Sequence, residues 1–441
     1  MTPAERPPLV RLELETVAAA RSGLLFVERA PEAAAGELVE IEDEGERRLG
    51  VVLEVDARRA VVQVLGGGRG LKLAGTRVRL TGEPLRLGVG EDLLGRVLDG
   101  MGRVLDGSPP PRADAFEDIS GRPINPAARE SPHLPIETGV SVLDVLLTLA
   151  RGQKLPVFTG YGLPGDALAT RIAVHVAGGA SDLAVVFGAI GATRRTAEKF
   201  QNALDEAGAL ERTVLVLDLA DRPSLERLMA PRVALTVAEH LAFSRGWHVL
   251  VVLTDMTAYA EALREVAAAR DELPARRGYP GAMYSDLASI YERAGCLRGR
   301  PGSVTQLPVV SMPSDDLSHP VPDLTGYITE GQIVLSRELH ARGLDPPVDV
   351  LPSLSRLMGA AIGTGKTRPS HGAVADRLYA RYALARDLRR QAAILGEDAI
   401  RAEDREQLAF ADRFERTLIH QEAPRSFQES LDLAESLARE N

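Results

Sequence analysis

Two stretches of the chain carry residue types that bind phosphate. "MGAAIGTGKTRPSH" (Met358 to His371) contains Gly-Lys-Thr, and "KLPVFTGYGLPGDALATRIAV" (Lys154 to Val174) sets glycines around a turn before an apolar-periodic segment. A P-loop requires G-x-x-x-x-G-K-[ST] between a strand and a helix. Its glycines let consecutive backbone N–H groups curl around phosphate, and the helix N-terminus adds its dipole. The lysine neutralises terminal phosphates and the hydroxyl holds magnesium.

The Met358 stretch fails on spacing and on context. Ala360 stands where the first glycine belongs, and Gly359 is one position too early. The preceding "LPSLSRLMGA" is polar and broken, so no buried strand is expected to lead into it. A flexible surface loop is the simpler reading, and Lys366 is not assigned to a phosphate.

The Lys154 stretch has the right context. An apolar strand ends at Gly160, Gly162 and Pro164 lie in the turn, and Gly160 and Gly165 occupy the two glycine positions. Asp166 replaces the lysine and Ala167 the Ser/Thr, while Pro164 removes one N–H from the cradle. An aspartate about 4 Å from a phosphate charge repels it by roughly 4 kcal/mol at an effective dielectric near 20. Catalysis at this loop is therefore excluded. The next strand ends "FGAIGATRR", with Ala189 and Gly191 where a water-orienting acid is expected and no acid in reach. A Walker-B-like acid remains in Asp255 of "HVLVVLTDMT", although a helix N-cap explains that residue equally.

The elements that position these groups follow from the apolar pattern. Short Val/Leu-rich runs ("RSGLLFVE", "GELVEIE", "RRLGVVLEVD", "RAVVQVLGG", "TRVRLTG") predict a small β-barrel over roughly 80 residues, with "EDEGERR" as a solvated turn. After a Gly/Pro-rich stretch, buried strands ("KLPVFTG", "LAVVFGAIG", "TVLVLDLA", "HVLVVLTDM", "TQLPVVSMP") alternate with amphipathic helices. That alternation predicts a mainly parallel sheet covered on both faces, with function at the strand C-termini. From about Pro369 only long, charge-laced helices are expected. The divisions are 1–82, 83–368 and 369–441.

Composition narrows the function classes. The 441 residues are 45% hydrophobic and carry a formal net charge of −10, which disfavours a general role on nucleic acid or anionic membrane. A single cysteine, Cys296, excludes an internal disulfide framework and suits a reducing compartment. The N-terminus has no secretory h-region, and "WHVLVVLT" is far short of the ~20 residues that span a bilayer.

Along nearly its whole length the chain resembles the B subunit of V-type and archaeal-type rotary ATPases. The segments that carry the resemblance include "GRPINPAARESPHLPIETGVSVLDVLLTLARGQKLPVF", "GALERTVLVLDLADRPSLERLMAPRVALTVAEHLAF", "RRGYPGAMYSDLASIYERAG", "MPSDDLSHPVPDLTGYITEGQIVLSRELH" and "PPVDVLPSLSRLM". The resemblance implies a multidomain α/β chain: an N-terminal β-barrel, a central RecA-like P-loop NTPase fold and a C-terminal helical domain. It also implies a non-catalytic role in a ring of three such subunits alternating with three catalytic A subunits. Central shaft, peripheral stalk and a membrane sector moving protons or sodium complete the complex, and this chain sits peripherally on the cytoplasmic face.

ATP or ADP with magnesium is then held at the interface with the A subunit, and little or none at this chain's own loop. Arg356 in "SLSRLM" matches the family position for an arginine that reaches across the interface; such fingers are worth ~10³–10⁵ in rate. Ser355 and Tyr327 match positions near the same interface, although packing would also explain a tyrosine. Arg276 and Arg277 either order an interface loop or form ordinary intrachain pairs. This chain departs from the family's Gly-Leu-Pro-His-Asn-Glu loop, having Gly165, Asp166 and Ala167 at the last three positions, which weakens any nucleotide binding there. "LGGGRGL" near the barrel replaces a more polar family version. A self-sufficient hexameric ATPase conflicts with Asp166 and Ala189; a stand-alone interaction module remains as the other alternative.

Overall fold

The computed structural model describes residues 13–439 except 15–16, 22, 29, 31, 45, 57, 66–69, 72–74, 122 and 396–400. The N-terminal dozen, the tip of the "EDEGERR" turn and most of "LGGGRGL" lie outside the described residues.

Seven antiparallel strands form the N-terminal barrel-like sheet. Their spatial order is Glu13–Leu14, Arg77–Pro84, Glu37–Asp43, Glu46–Val55, Arg59–Val64, Leu24–Glu28 and Val17–Arg21. Alternation makes the sheet two-faced: in Glu37–Asp43, Val39 and Ile41 are fully buried and pack with Val27, Val52, Val62 and Val78. "RSGLLFVE" holds one strand, Leu24–Glu28. Gly23, at φ +82°, turns the chain between Val17–Arg21 and Leu24–Glu28, which pair as a hairpin.

The central sheet runs Val348–Ser355, Gly331–Leu335, Val157–Gly160, Ser303–Met312, His248–Thr254, Leu183–Ala192, Thr213–Leu219 and Val97–Asp99. Every neighbouring pair in that row is parallel except the first. Leu183–Ala192 is buried on both faces, which is why it reads as a nearly unbroken apolar run. Val185 and Phe187 point into one core with the helices Gly165–Gly178 and Arg194–Glu206. Val186 points into the other, with Ser224–Glu239 and Met256–Ala269. Phe187 rests against Phe200 with ring centroids 4.8 Å apart. Burying side chains of this size contributes ~1.5–3 kcal/mol each relative to exposure.

The C-terminal helices His371–Leu395, Ala402–Phe414 and Phe427–Arg439 share the first of these cores through Leu378, Phe410, Phe414 and Ala434. Among the described residues no helix is long and apolar enough to cross a membrane, and no cluster of His, Cys, Asp and Glu could hold a metal ion.

Candidate functional site

The strand Val157–Gly160 runs into the turn 161–164 and then the helix Gly165–Gly178, which is P-loop topology. The turn, however, spends its hydrogen bonds on itself. Leu163 N–H donates to Gly160 O (3.0 Å) and Gly165 N–H to Leu163 O (2.9 Å), while Pro164 has no N–H to give. Protein also fills the space above Gly160: a Cβ added there would lie 1.8 Å from Asp315 Oδ1. Arg337 pairs with this carboxylate at the surface. Its Nε lies 2.7 Å from Asp315 Oδ2, and its Nη2 donates to Tyr161 O at 2.9 Å, so one guanidinium ties the turn to the opposing carboxylate. The same ion pair holds the Asp315 carboxyl below its usual range.

The charges in the loop have the wrong sign for a nucleotide. Asp166 is exposed and accepts a hydrogen bond from the Thr254 hydroxyl; Ala167 offers no hydroxyl to a metal. Asp255 accepts from Thr257 N–H (2.8 Å) and Ser311 N–H (3.1 Å), so it does cap the helix Met256–Ala269. Burial raises its pKa, and the nearby Asp166 charge adds to the rise. Magnesium with ATP does not fit here: the lysine is missing, the hydroxyl is missing, and the cradle is closed. An open groove of about 760 Å³ beside the loop is lined by Asp166, Ala167, Lys199, Phe200 and Glu206 among others.

One expectation about acids is corrected. At the end of Leu183–Ala192 a carboxylate is in reach after all, contributed by the adjacent strand: Asp218 Oδ2 accepts Gly191 N–H at 2.8 Å. Asp218 is buried, its pKa raised by burial, and it is held 3.1 Å from Arg227 Nε. Both contacts are made by Oδ2; Oδ1 is buried without a hydrogen-bond partner among the described residues.

The edge of the sheet holds the second group of residues. Contrary to the sequence reading, a strand does run into the Met358 stretch: Val348–Ser355 pairs antiparallel with Gly331–Leu335, with Gly331 opposite Ser355. Its alternating exposure, as an outer strand, is what made "LPSLS" look broken. The short helix Met358–Ala361 separates it from Gly-Lys-Thr, so strand–loop–helix geometry is absent. Nor is the Gly-Lys-Thr segment loose. Thr367 Oγ1 accepts Gly363 N–H (3.0 Å) and contacts His371 Nδ1 (2.9 Å), tying the turn to the start of His371–Leu395, and Lys366 Nζ donates to Ala360 O at 2.5 Å.

Arg356 leaves the sheet directly after Ser355 and is exposed. Its N–H donates to Glu330 O (3.0 Å) and its Nη1 to Thr329 O (3.3 Å). No carboxylate among the described residues pairs with its guanidinium. Tyr327, on the helix Pro320–Ile328, is 74% exposed, so internal packing does not account for it. Ser355 turns inward instead: its hydroxyl donates to Thr148 O and accepts from Gln153 Nε2, both at 3.0 Å. Arg276 and Arg277 are in intrachain pairs, with Asp323 (2.6 Å) and Asp316 (3.0 Å). The Ser318 and Arg277 contacts pull the Asp316 pKa down to about 2. Sequence reasoning missed the Asp315–Arg337 pair, whose members lie about 150 or more residues from the loop, and the placement of Asp218; neither leaves a local motif.

Three family models match in succession along the chain. The beta-barrel domain of the ATP synthase alpha/beta family matches residues 22–82, its nucleotide-binding domain 139–355, and the C-terminal domain of V and A type ATP synthase 360–440. Among solved structures, the ATP synthase subunit NeqB from Nanoarcheaum equitans is 36% identical, with a TM-score of 0.76; the match covers 94% of this chain and 98% of that one. P-loop topology between a barrel and a V/A-type helical domain, with family models in that order and a solved relative 36% identical over 94% of this chain, means that the chain belongs to the ATP synthase alpha/beta family, on its V- and A-type branch.

Proposed function

We propose that this chain is the non-catalytic B subunit of a V/A-type rotary ATP synthase, alternating with catalytic A subunits in a 3:3 ring. One contrast carries the reading. The chain's own loop is closed by Asp315 and Arg337 and carries Asp166 in place of lysine, while at a different edge Arg356 stands exposed with no carboxylate partner. An arginine without an internal counter-charge is suited to an anion supplied from outside. Placed against ATP and magnesium held by the A subunit, its guanidinium offsets charge that develops on the transferring phosphoryl group. Exposed Tyr327 would lie at the same interface. Ser355 would act from within, fixing the strand end that carries Arg356.

Ring conformations, driven by hydrolysis or driving synthesis, would be coupled through the shaft to proton or sodium movement in a membrane sector. The chain itself would be peripheral, on the cytoplasmic face, with stalk subunits and no nucleic acid as partners. The test is reconstitution. The purified chain alone should show no ATPase; mixed with an A partner carrying an intact G-x-x-x-x-G-K-[ST], turnover should appear, and Arg356→Ala should reduce it by ~10³-fold or more. Robust hydrolysis by the isolated chain would overturn the reading. Full turnover by the Arg356→Ala complex would remove the finger assignment alone.

A further inference from the structure

Arg356 is held at two points, and both belong to one turn. Its N–H and its guanidinium bond the consecutive carbonyls of Glu330 and Thr329, between the helix Pro320–Ile328 and the strand Gly331–Leu335. The position of that turn therefore sets the position of the guanidinium. A buried lysine, in turn, grips the turn. Lys154 is 3% exposed and meets Glu330 three ways: Nζ lies 2.8 Å from Glu330 Oε1, its N–H donates to Glu330 Oε2 at 2.8 Å, and its carbonyl accepts Glu330 N–H at 3.1 Å.

The lysine's ammonium also lies 3.0 Å from Glu292 Oε1, and Glu292 Oε2 lies 2.7 Å from Arg129. Arg129, Glu292, Lys154 and Glu330 thus form a row of alternating charge that sums to zero. Gln153 adds a neutral strut, donating from Nε2 to Glu330 O (3.1 Å) and to Ser355 Oγ (3.0 Å). A lysine buried this deeply is stable only with its partners in place. The buried ammonium thus ties Glu292 and Glu330 together, and such fixed placement is what holds a charged group where charge develops in a reaction.

We propose that Lys154 and Glu330 are positioning residues for Arg356: the buried lysine and its half-buried partner fix the 329–330 turn, and the turn fixes the guanidinium. The inference rests on the in-trans reading of Arg356, so the experiment separates the two. Complexes are reconstituted with the catalytic partner and Mg-ATP, and only assembled material is assayed. Lys154→Met keeps chain length and removes charge; Glu330→Gln keeps shape and removes charge. Each should lower kcat by about ten-fold while KM for ATP stays within about two-fold, because the partner holds the nucleotide and only the approach of Arg356 shifts.

Lys154→Arg should restore most of the rate. Adding Lys154→Met to Arg356→Ala should cost nothing further, since both act through one group. Parent kcat in assembled Lys154→Met and Glu330→Gln complexes, beside an inactive Arg356→Ala complex, would overturn the positioning role and leave the finger. Parent kcat in Arg356→Ala would instead overturn the reading beneath it. Failure of both Lys154→Met and Glu330→Gln to assemble would assign the row to folding and also overturn the proposal.

Discussion

Replacing Asp166 with lysine and Ala167 with threonine writes a complete G-x-x-x-x-G-K-T into the chain at Gly160 to Ala167. Were charge the only obstacle, nucleotide binding should return. An Asp about 4 Å from phosphate costs roughly 4 kcal/mol at an effective dielectric near 20 but about 1 kcal/mol in bulk water. Asp166 is exposed, so the lower figure governs. Reversing its sign gains about 2 kcal/mol, roughly 30-fold in Kd.

The backbone sets a larger deficit. Leu163 and Gly165 N–H groups are already donated within the turn, and Pro164 has none. Three charge-assisted hydrogen bonds at ~1.5–3 kcal/mol each are missing, a shortfall of ~5–9 kcal/mol, and Asp315 stands over Gly160 besides. The double variant should therefore remain a poor ligand site. Titration calorimetry of the isolated variant with Mg-ATP should show at most a ~30-fold gain, with Kd still near the millimolar range and the gain erased by added salt. Adding Pro164→Ala and Asp315→Ala should tighten binding further. A micromolar Kd for Asp166→Lys/Ala167→Thr alone would refute the claim that the closed turn, and not its charge, excludes the nucleotide.

Two other predictions concern stability. Asp144 is fully buried, its Oδ1 bonded by Thr138 N–H (2.9 Å) and hydroxyl (2.7 Å), and burial pushes its pKa up to about 7. Its folded pKa lies above the unfolded value, so its favourable contribution is complete below about pH 4 and is lost as pH rises toward about 7. Asp144→Asn should flatten that decline, read as the difference between urea midpoints at pH 5 and pH 8; an unchanged pH slope would reject the assignment. Glu415 is 1% exposed, with its carboxylate 2.5 Å from Arg342 Nη2, 2.5 Å from Arg389 Nη1 and 2.8 Å from the Tyr382 hydroxyl. Glu415→Ala removes their buried partner but leaves Arg389 its Asp412 contact at 2.6 Å, and should cost ~1.5–3 kcal/mol in denaturant melts of the C-terminal helices.

The architecture was legible wherever periodicity is strong. "LAVVFGAIG" and "HVLVVLTDM" are apolar because both faces of their strands are covered, and the charge-laced stripe of "GAVADRLYARYALARDLRR" identified a long helix. Periodicity failed at edges. Val348–Ser355 exposes about every second residue on an outer strand. The loop's defects were readable because Asp166, Ala167 and Pro164 sit at defined offsets from Gly160. The Asp315–Arg337 pair was not, because its members reach the loop from other parts of the sheet and obey no spacing rule. The Lys154–Glu330 pair is hidden for the same reason: a single lysine in "RGQKLP" says nothing of which carboxylate it will meet about 180 residues later.

The strand Val157–Gly160 is short, and each of its ends is clamped. Just before it Lys154 secures the turn that carries Arg356; just after it Arg337 and Asp315 seal the loop. In a ring of the proposed kind these two ends would report to different neighbours. Such a strand would serve as a gauge block, fixing the separation between two adjoining sites. Timing around the ring would then depend on how little this chain deforms.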